Sequence, residues 1–231
     1  MNRVIYFLSF FLSSLIVSCN SNAKTKPQET APTTKSPEIN KKSNKNAKSK
    51  TILFFGNSLT AGYGIDPAEA FVGLIEKRID SLNLDYNVVN AGISGDKTAG
   101  GLSRVDWILE QQKVDIFILE LGGNDALQGV APSSAEKNLQ GIIDKVKAKY
   151  PAAKIILAGM EAPPNMGNKY TAKFRAMYPR LAKANNLALI PFILDKVGGI
   201  PELNLKDGIH PTPEGHQIVA ENIWTILEDL L

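Results

Sequence analysis

"DIFILELGGND", residues 115–125, sets Ile116, Phe117, Ile118 and Leu119 side by side, then breaks at two glycines followed by Asn124 and Asp125. A strand with one wet face would alternate apolar and polar residues. A run that is apolar on both faces suits a parallel sheet covered by helices on each side. Four other runs have the same character: "TILFF" (51–55), "YNVVNAG" (86–92), "AKIILAGM" (153–160) and "LALIPFIL" (187–194). The stretches between them carry helical spacing. Leu74, Ile75, Ile79 and Leu82 share a face, as do Ile142, Ile143 and Val146, and later Ile218, Val219, Ile223, Ile226 and Leu230. Strands alternating with amphipathic helices predict one three-layer α/β/α domain over residues 51–231, built on a five-stranded parallel sheet. No internal repeat marks a solenoid.

The segments before that domain belong to other classes. Residues 1–18 carry a single charge, Arg3, and then the uncharged run "VIYFLSFFLSSLIVS", too short for a comfortable bilayer span and placed where an export signal belongs. The run closes on Ile16-Val17-Ser18-Cys19, which resembles the lipobox of bacterial lipoproteins, and Cys19 is the single cysteine of the chain. The resemblance implies lipidation at Cys19 and an exported, membrane-anchored protein facing the periplasm or the cell exterior. No intrachain disulfide is available to the fold. Residues 19–50 turn to Lys, Asn, Ser, Thr and Pro and cannot bury enough apolar surface to order themselves, so they are expected to form a tether.

Charge follows the same division. The stretch from Asn20 to Lys50 holds eight lysines against Glu29 and Glu38, a net of +6, and Arg3 adds one. The formal +3 of the whole chain therefore leaves −4 for the domain. The basic balance belongs to the tether, which removes the main support for a nucleic-acid partner. Attraction of the lysines to anionic lipid is one use of it, and a plain soluble spacer is another.

In an α/β sheet the ligand sits beyond the carboxyl ends of the strands. After the first run come Gly56-Asn57-Ser58-Leu59-Thr60, after the second Asn90-Ala91-Gly92-Ile93-Ser94-Gly95-Asp96, and after the third Gly122-Gly123-Asn124-Asp125. Ahead of the last helix lies "DGIHPTPEGH", residues 207–216. Taken singly, each has a simpler explanation. Ser58 suits a helix N-cap, Gly92 and Gly95 a tight turn or a phosphate at a helix N-terminus, Asn124 and Asp125 turn chemistry, and Asp207 with His210 two ligands of a metal site. Together they supply what acyl transfer needs: a hydroxyl, a base that takes its proton, a carboxylate that orients the base, and donors for a developing oxyanion. The domain has two histidines. His216 lies where the last helix begins, where a capping or surface role suits it; His210 sits in a Pro-stiffened loop within reach of Asp207.

These four segments resemble the signature blocks of the SGNH (GDSL) hydrolase superfamily, in that family's order and across nearly all of residues 51–231. The resemblance implies a flavodoxin-like SGNH hydrolase fold. It implies Ser58 as nucleophile, Asp207 and His210 as its partners in a triad, and the backbone N–H groups of Ser58 and Gly95 with the Asn124 amide as oxyanion hole. It also implies hydrolysis of a small-molecule ester or thioester without metal or organic cofactor, by a chain acting as a monomer. "NAGISGD", "ELGGNDALQG" and "DGIHPTPEGH" look closest to the periplasmic acyl-CoA thioesterase, arylesterase and lysophospholipase group. "PPNMGNKYTAKFRAMYP" resembles the segment that lines an acyl pocket there, which offers Met166, Tyr170, Phe174 and Met177 as substrate contacts, with a long loop over the core as the other reading. Asn57 stands where the family usually carries Asp, so any role that needs a charge there is in doubt. A carbohydrate O-deacetylase of the same superfamily and a non-catalytic flavodoxin-like phosphate or nucleotide binder are the alternatives.

Overall fold

In the computed structural model, which describes residues 49–231, five parallel strands lie in the order β2-β1-β3-β4-β5. They are β1 (Lys50–Gly56), β2 (Tyr86–Asn90), β3 (Ile116–Glu120), β4 (Lys154–Ala158) and β5 (Ala188–Ile190). Each of the five apolar runs supplies one of them. The central strands are sealed on both faces: Ile52, Leu53, Phe55, Phe117 and Leu119 expose 0% of their surface. β1 starts at Lys50, one residue before the expected domain boundary, and the Ser49 N–H already donates to Asp85 Oδ1 at 2.9 Å.

Helices cover both sides, as right-handed crossovers require when the chain steps from β1 to β2 and then back across β1 to β3. α2 (Phe71–Ser81) packs with α7 (Pro213–Leu227) on one face; α3 (Thr98–Gln111), α5 (Pro132–Lys149) and α6 (Asn168–Asn185) line up on the other. Two short helices, α1 (Ser58–Ala61) and α4 (Gly123–Leu127), follow β1 and β3 directly. The order in which strands are added reverses after β2, so the crevice of the sheet opens at the carboxyl ends of β1 and β3, and α1 and α4 are what it meets there.

Three expectations are corrected. Leu82 leaves the buried face of α2 because the helix stops at Ser81 and Asn83 turns left-handed (φ 53°), a conformation Asn tolerates, and Leu82 is exposed. The run "LALIPFIL" is a strand only to Ile190. Pro191 has no N–H for the ladder, and the chain then leaves the sheet. The segment from Met160 to Tyr178 is not one long loop: from Asn168 it is α6, with Phe174, Met177, Tyr178 and Leu181 at helical spacing and buried. The export signal, Cys19 and the tether up to residue 48 lie outside the described residues. Among the described residues no helix is long and apolar enough to cross a membrane.

Candidate active site

β1 delivers its last residue, Gly56, into a space where a methyl group would collide with Thr60 Oγ1 and the Glu120 carboxylate. The chain then turns at Asn57, whose Oδ1 accepts the Leu59 N–H at 2.9 Å. Asn57, and not Ser58, is therefore the N-cap of α1. That leaves the Ser58 hydroxyl free of capping work at the mouth of the crevice. The turn is held from below by Glu120, the last residue of β3. Its carboxylate accepts the Asn57 N–H (3.2 Å), the Asn57 Nδ2–H (2.8 Å) and the Thr60 hydroxyl (2.8 Å). Burial pushes the Glu120 carboxyl up to about 7, even though these donors pull the other way.

The partners of Ser58 come from the loop before α7. Asp207 Oδ1 accepts the N–H groups of Ile209 (2.9 Å) and His210 (3.1 Å), which closes a tight turn and fixes the carboxylate beside the imidazole. Asp207 Oδ2 lies 2.7 Å from His210 Nδ1, and His210 Nε2 lies 2.8 Å from Ser58 Oγ. With the proton on Nδ1 directed at Asp207, Nε2 is the acceptor for the hydroxyl. The competing acceptor, Asn57 Oδ1, is 3.4 Å away and already engaged by Leu59. Partial burial pushes the Asp207 carboxyl up, but the His210 ring and the two backbone N–H groups outweigh it and bring it down to about 2. The carboxylate stays ionised beside the imidazole across the physiological range. Asp207 and His210, weighed from the sequence as metal ligands, are bonded to each other. The Tyr63 ring covers His210 at 4.5 Å between centroids, and the Tyr63 N–H donates to the Ser58 carbonyl at 3.0 Å.

The three donors expected from the sequence sit on three different segments. Ser58 opens α1, so its N–H has no partner within the helix. Gly95 sits exposed in the loop after β2 with φ +82° and nothing within 4 Å of where a Cβ would stand; the left-handed backbone, rather than crowding, is what calls for glycine. Asn124, on α4, lines the same cavity as Ser58 and donates one Nδ2–H to the Asp96 carbonyl at 2.9 Å, which leaves its second N–H for a ligand.

A profile of the GDSL-like lipase/acylhydrolase family matches residues 54–218, well over half of the chain. The chain belongs to this family. It is 40% identical over 185 residues to esterase TesA of Pseudomonas aeruginosa, covering 80% of this chain and 91% of that protein. It is 37% identical over 185 residues to thioesterase 1/protease 1/lysophospholipase L1 of Escherichia coli K12, covering 80% and 86%. A crystal structure of TesA, 40% identical, superposes with a TM-score of 0.76 over 79% of this chain and 100% of that one. The GDSL-family fold and a hydrolase identity are thereby shown.

Within this GDSL-family site the second histidine has a separate task. His216 is neither at the surface nor the cap of its own helix. It is 1% exposed, stacks on Phe71 at 5.6 Å, and its Nδ1 accepts the Phe71 N–H at 3.1 Å. Phe71 opens α2, whose N-cap Ala70 offers no side-chain acceptor, so His216 caps a helix that lies 145 residues away in sequence. Burial, with a contribution from nearby His210, pushes its pKa down to about 4.

The expected acyl-pocket residues are elsewhere. Phe174 is 0% exposed and packs edge-on against Tyr178; the Tyr170 hydroxyl donates to the Val130 carbonyl at 2.7 Å; Met166 faces Gly129. Tyr170 on α6 and Met166 in the turn before it reach the loop after α4, Phe174 packs within α6, and none of the three lines the cavity at Ser58. The cavity of about 450 Å³ at Ser58 is lined instead by Leu59, Leu127, Met160, Pro163, Leu194 and Ile209, among others. Only Pro163 and Pro164 come from the segment singled out in the sequence. Sequence reasoning also missed Glu120 and Arg104. A single acid closing the otherwise apolar "IFILE" is a visible signal for the first; an arginine on an amphipathic helix gives none.

Proposed function

We propose that this GDSL hydrolase cleaves carboxylic esters or thioesters with an aliphatic acyl group through an acyl-enzyme on Ser58. The observation that carries the reading is the 2.8 Å contact between Ser58 Oγ and His210 Nε2, with Asp207 2.7 Å behind the imidazole. His210 Nε2 takes the hydroxyl proton as Oγ attacks the carbonyl carbon. The Asp207 carboxylate holds the tautomer and compensates the imidazolium. The carbonyl oxygen, now negative, is met by the N–H groups of Ser58 and Gly95 and the free N–H of Asn124. Collapse expels the alcohol or thiol, protonated by His210, and a water then repeats the sequence to release the acid. Asn57 serves here as a neutral cap, so no step uses a charge at that position.

The apolar lining of the cavity favours an acyl chain over a sugar, which speaks against the carbohydrate deacetylase. A fluorophosphonate probe tests the nucleophile directly: it is expected to label the domain once per chain, and Ser58→Ala is expected to abolish labelling and esterase activity with the fold intact. Labelling that survives in Ser58→Ala would refute the assignment. Export, lipidation at Cys19 and tethering to a membrane complete the proposal, supported by the sequence of residues 1–50 alone.

A further inference from the structure

One ion pair beside the site has no part in the mechanism above. Arg104 on α3 and Asp96 in the loop after β2 meet at 2.7 Å (Nε to Oδ2), with 15% and 11% of their side chains exposed. The other guanidinium nitrogens donate to the carbonyls of Ala91 (2.9 Å) and Gly56 (3.0 Å), and the guanidinium lies 3.9 Å over the Phe55 ring. Gly56 is two residues before Ser58. Ala91 opens the loop that carries Gly95, and Asp96 follows Gly95 directly. Asp96 is also the residue whose carbonyl accepts the Asn124 amide at 2.9 Å. Both oxyanion donors outside α1 thus depend on one residue: the Gly95 N–H precedes it in the chain, and the Asn124 side chain is pinned by its backbone.

We propose that the Arg104–Asp96 pair is a positioning element that sets the aim of the oxyanion donors at Gly95 and Asn124 relative to Ser58. The inference rests on the functional reading above. A buried ion pair is a poor device for stability alone, since apolar residues of the same volume often serve as well. A planar fork of donors that ties three loop ends to one point is a good device for geometry. Gly95 has open space where a side chain would be, and the one turn bond around it runs from the Asp96 N–H to the Ile93 carbonyl (3.1 Å), so little else fixes its N–H. Without the Asp96 carbonyl, the Asn124 amide would be free to rotate its donor away. Displacements near 1 Å in such a constellation cost on the order of 10²-fold in rate.

The test compares kcat and KM on p-nitrophenyl butyrate for wild type, Arg104→Lys, Asn124→Ala and the double variant, together with the Ki of an alkylboronic acid that forms a tetrahedral anion on serine. Arg104→Lys keeps the charge but loses the fork. It is expected to lower kcat by about tenfold or more with KM within about twofold, and to weaken the boronate by a similar factor. In the Asn124→Ala background its effect is expected to shrink to a few-fold, because one of the donors it aims is gone. An Arg104→Lys protein with kcat within about twofold of wild type, or an equal loss in both backgrounds with boronate affinity unchanged, would overturn the inference. If Asn124→Ala itself keeps wild-type kcat, the underlying oxyanion reading falls, and this one with it. If Asn124→Ala is slow while Arg104→Lys is not, this one alone falls. Should Arg104→Lys fail to fold, Asp96→Asn, which keeps the carbonyl and the volume, carries the same comparison with the same outcomes.

Discussion

Two buried groups near the site are displaced from their ordinary pKa in opposite senses, and each hides the other. His216 is held down at about 4 against 6.5, and Glu120 is held up at about 7 against 4.5. Between about pH 4.5 and 6.5 the unfolded chain protonates His216 while the folded chain does not, so this group makes stability rise with pH. In the same window the folded chain keeps a proton on Glu120 that the unfolded chain has lost, so that group makes stability fall with pH. One proton is taken up on unfolding and one released, and the two slopes cancel. Each gap, at about 1.36 kcal/mol per pH unit, is worth roughly 3 kcal/mol. His216→Gln keeps an acceptor for the Phe71 N–H and removes one side of the balance. Its stability relative to wild type is expected to fall as pH rises from about 4.5 to 7, by up to roughly 3 kcal/mol. Glu120→Gln is expected to do the reverse, losing relative stability as pH falls from about 6.5 to 4. The assay is urea denaturation followed by tryptophan fluorescence at four pH values, read as variant minus wild type so that unrelated groups drop out; Asp207, shifted to about 2, titrates below the window. A difference between His216→Gln and wild type that does not change with pH would show that His216 is not held neutral, and the reasoning would fail.

Three further outcomes are expected. Asn124→Ala should lower kcat on the order of 10²-fold to 10³-fold with little change in KM, and Asn124→Asp should be at least as slow, because it sets a negative charge against the oxyanion; steady-state kinetics within about threefold of wild type would refute the donor role. Along a series of p-nitrophenyl esters, each methylene buried in the cavity should gain about 0.8 kcal/mol, roughly fourfold in kcat/KM, until the space is filled, whereas a strict preference for acetyl would favour the deacetylase. Cys19→Ser should give a soluble protein or an unprocessed precursor with full activity in the domain, and unchanged membrane association of a processed Cys19→Ser protein would remove the lipoprotein reading.

The layers of the fold were legible because each rests on a local pattern. Runs such as "IFIL" are apolar on both faces, and only a doubly covered sheet accepts them, so strand identity followed from short windows. The edges were less legible: whether Leu82 belongs to α2 depends on Asn83 turning left-handed, and whether "LALIPFIL" continues as a strand depends on one missing N–H at Pro191. In the site, the meeting of Ser58, Asp207 and His210 was readable because acyl transfer, the chemistry proposed, restricts the residue types. The tasks of His216 and Tyr170 were not, since each is set by a partner far away in sequence: His216 by Phe71 and Tyr170 by Val130. Asn57 lay in plain view as a departure from the family pattern, but its work as the cap of α1 required the geometry of Leu59.

The proposed base and its carboxylate occupy one turn, three residues apart, whereas the serine paired with them is 152 positions away from His210. The site therefore divides into a half that is made locally and a half that exists only when the two ends of the domain have met. During refolding, helix content and even the Asp207–His210 contact can precede the closing of the sheet, but no turnover can. Regained activity is thus a clock for one contact that spans 152 residues, and its lag behind the recovery of secondary structure measures how late β1 and the loop before α7 find each other.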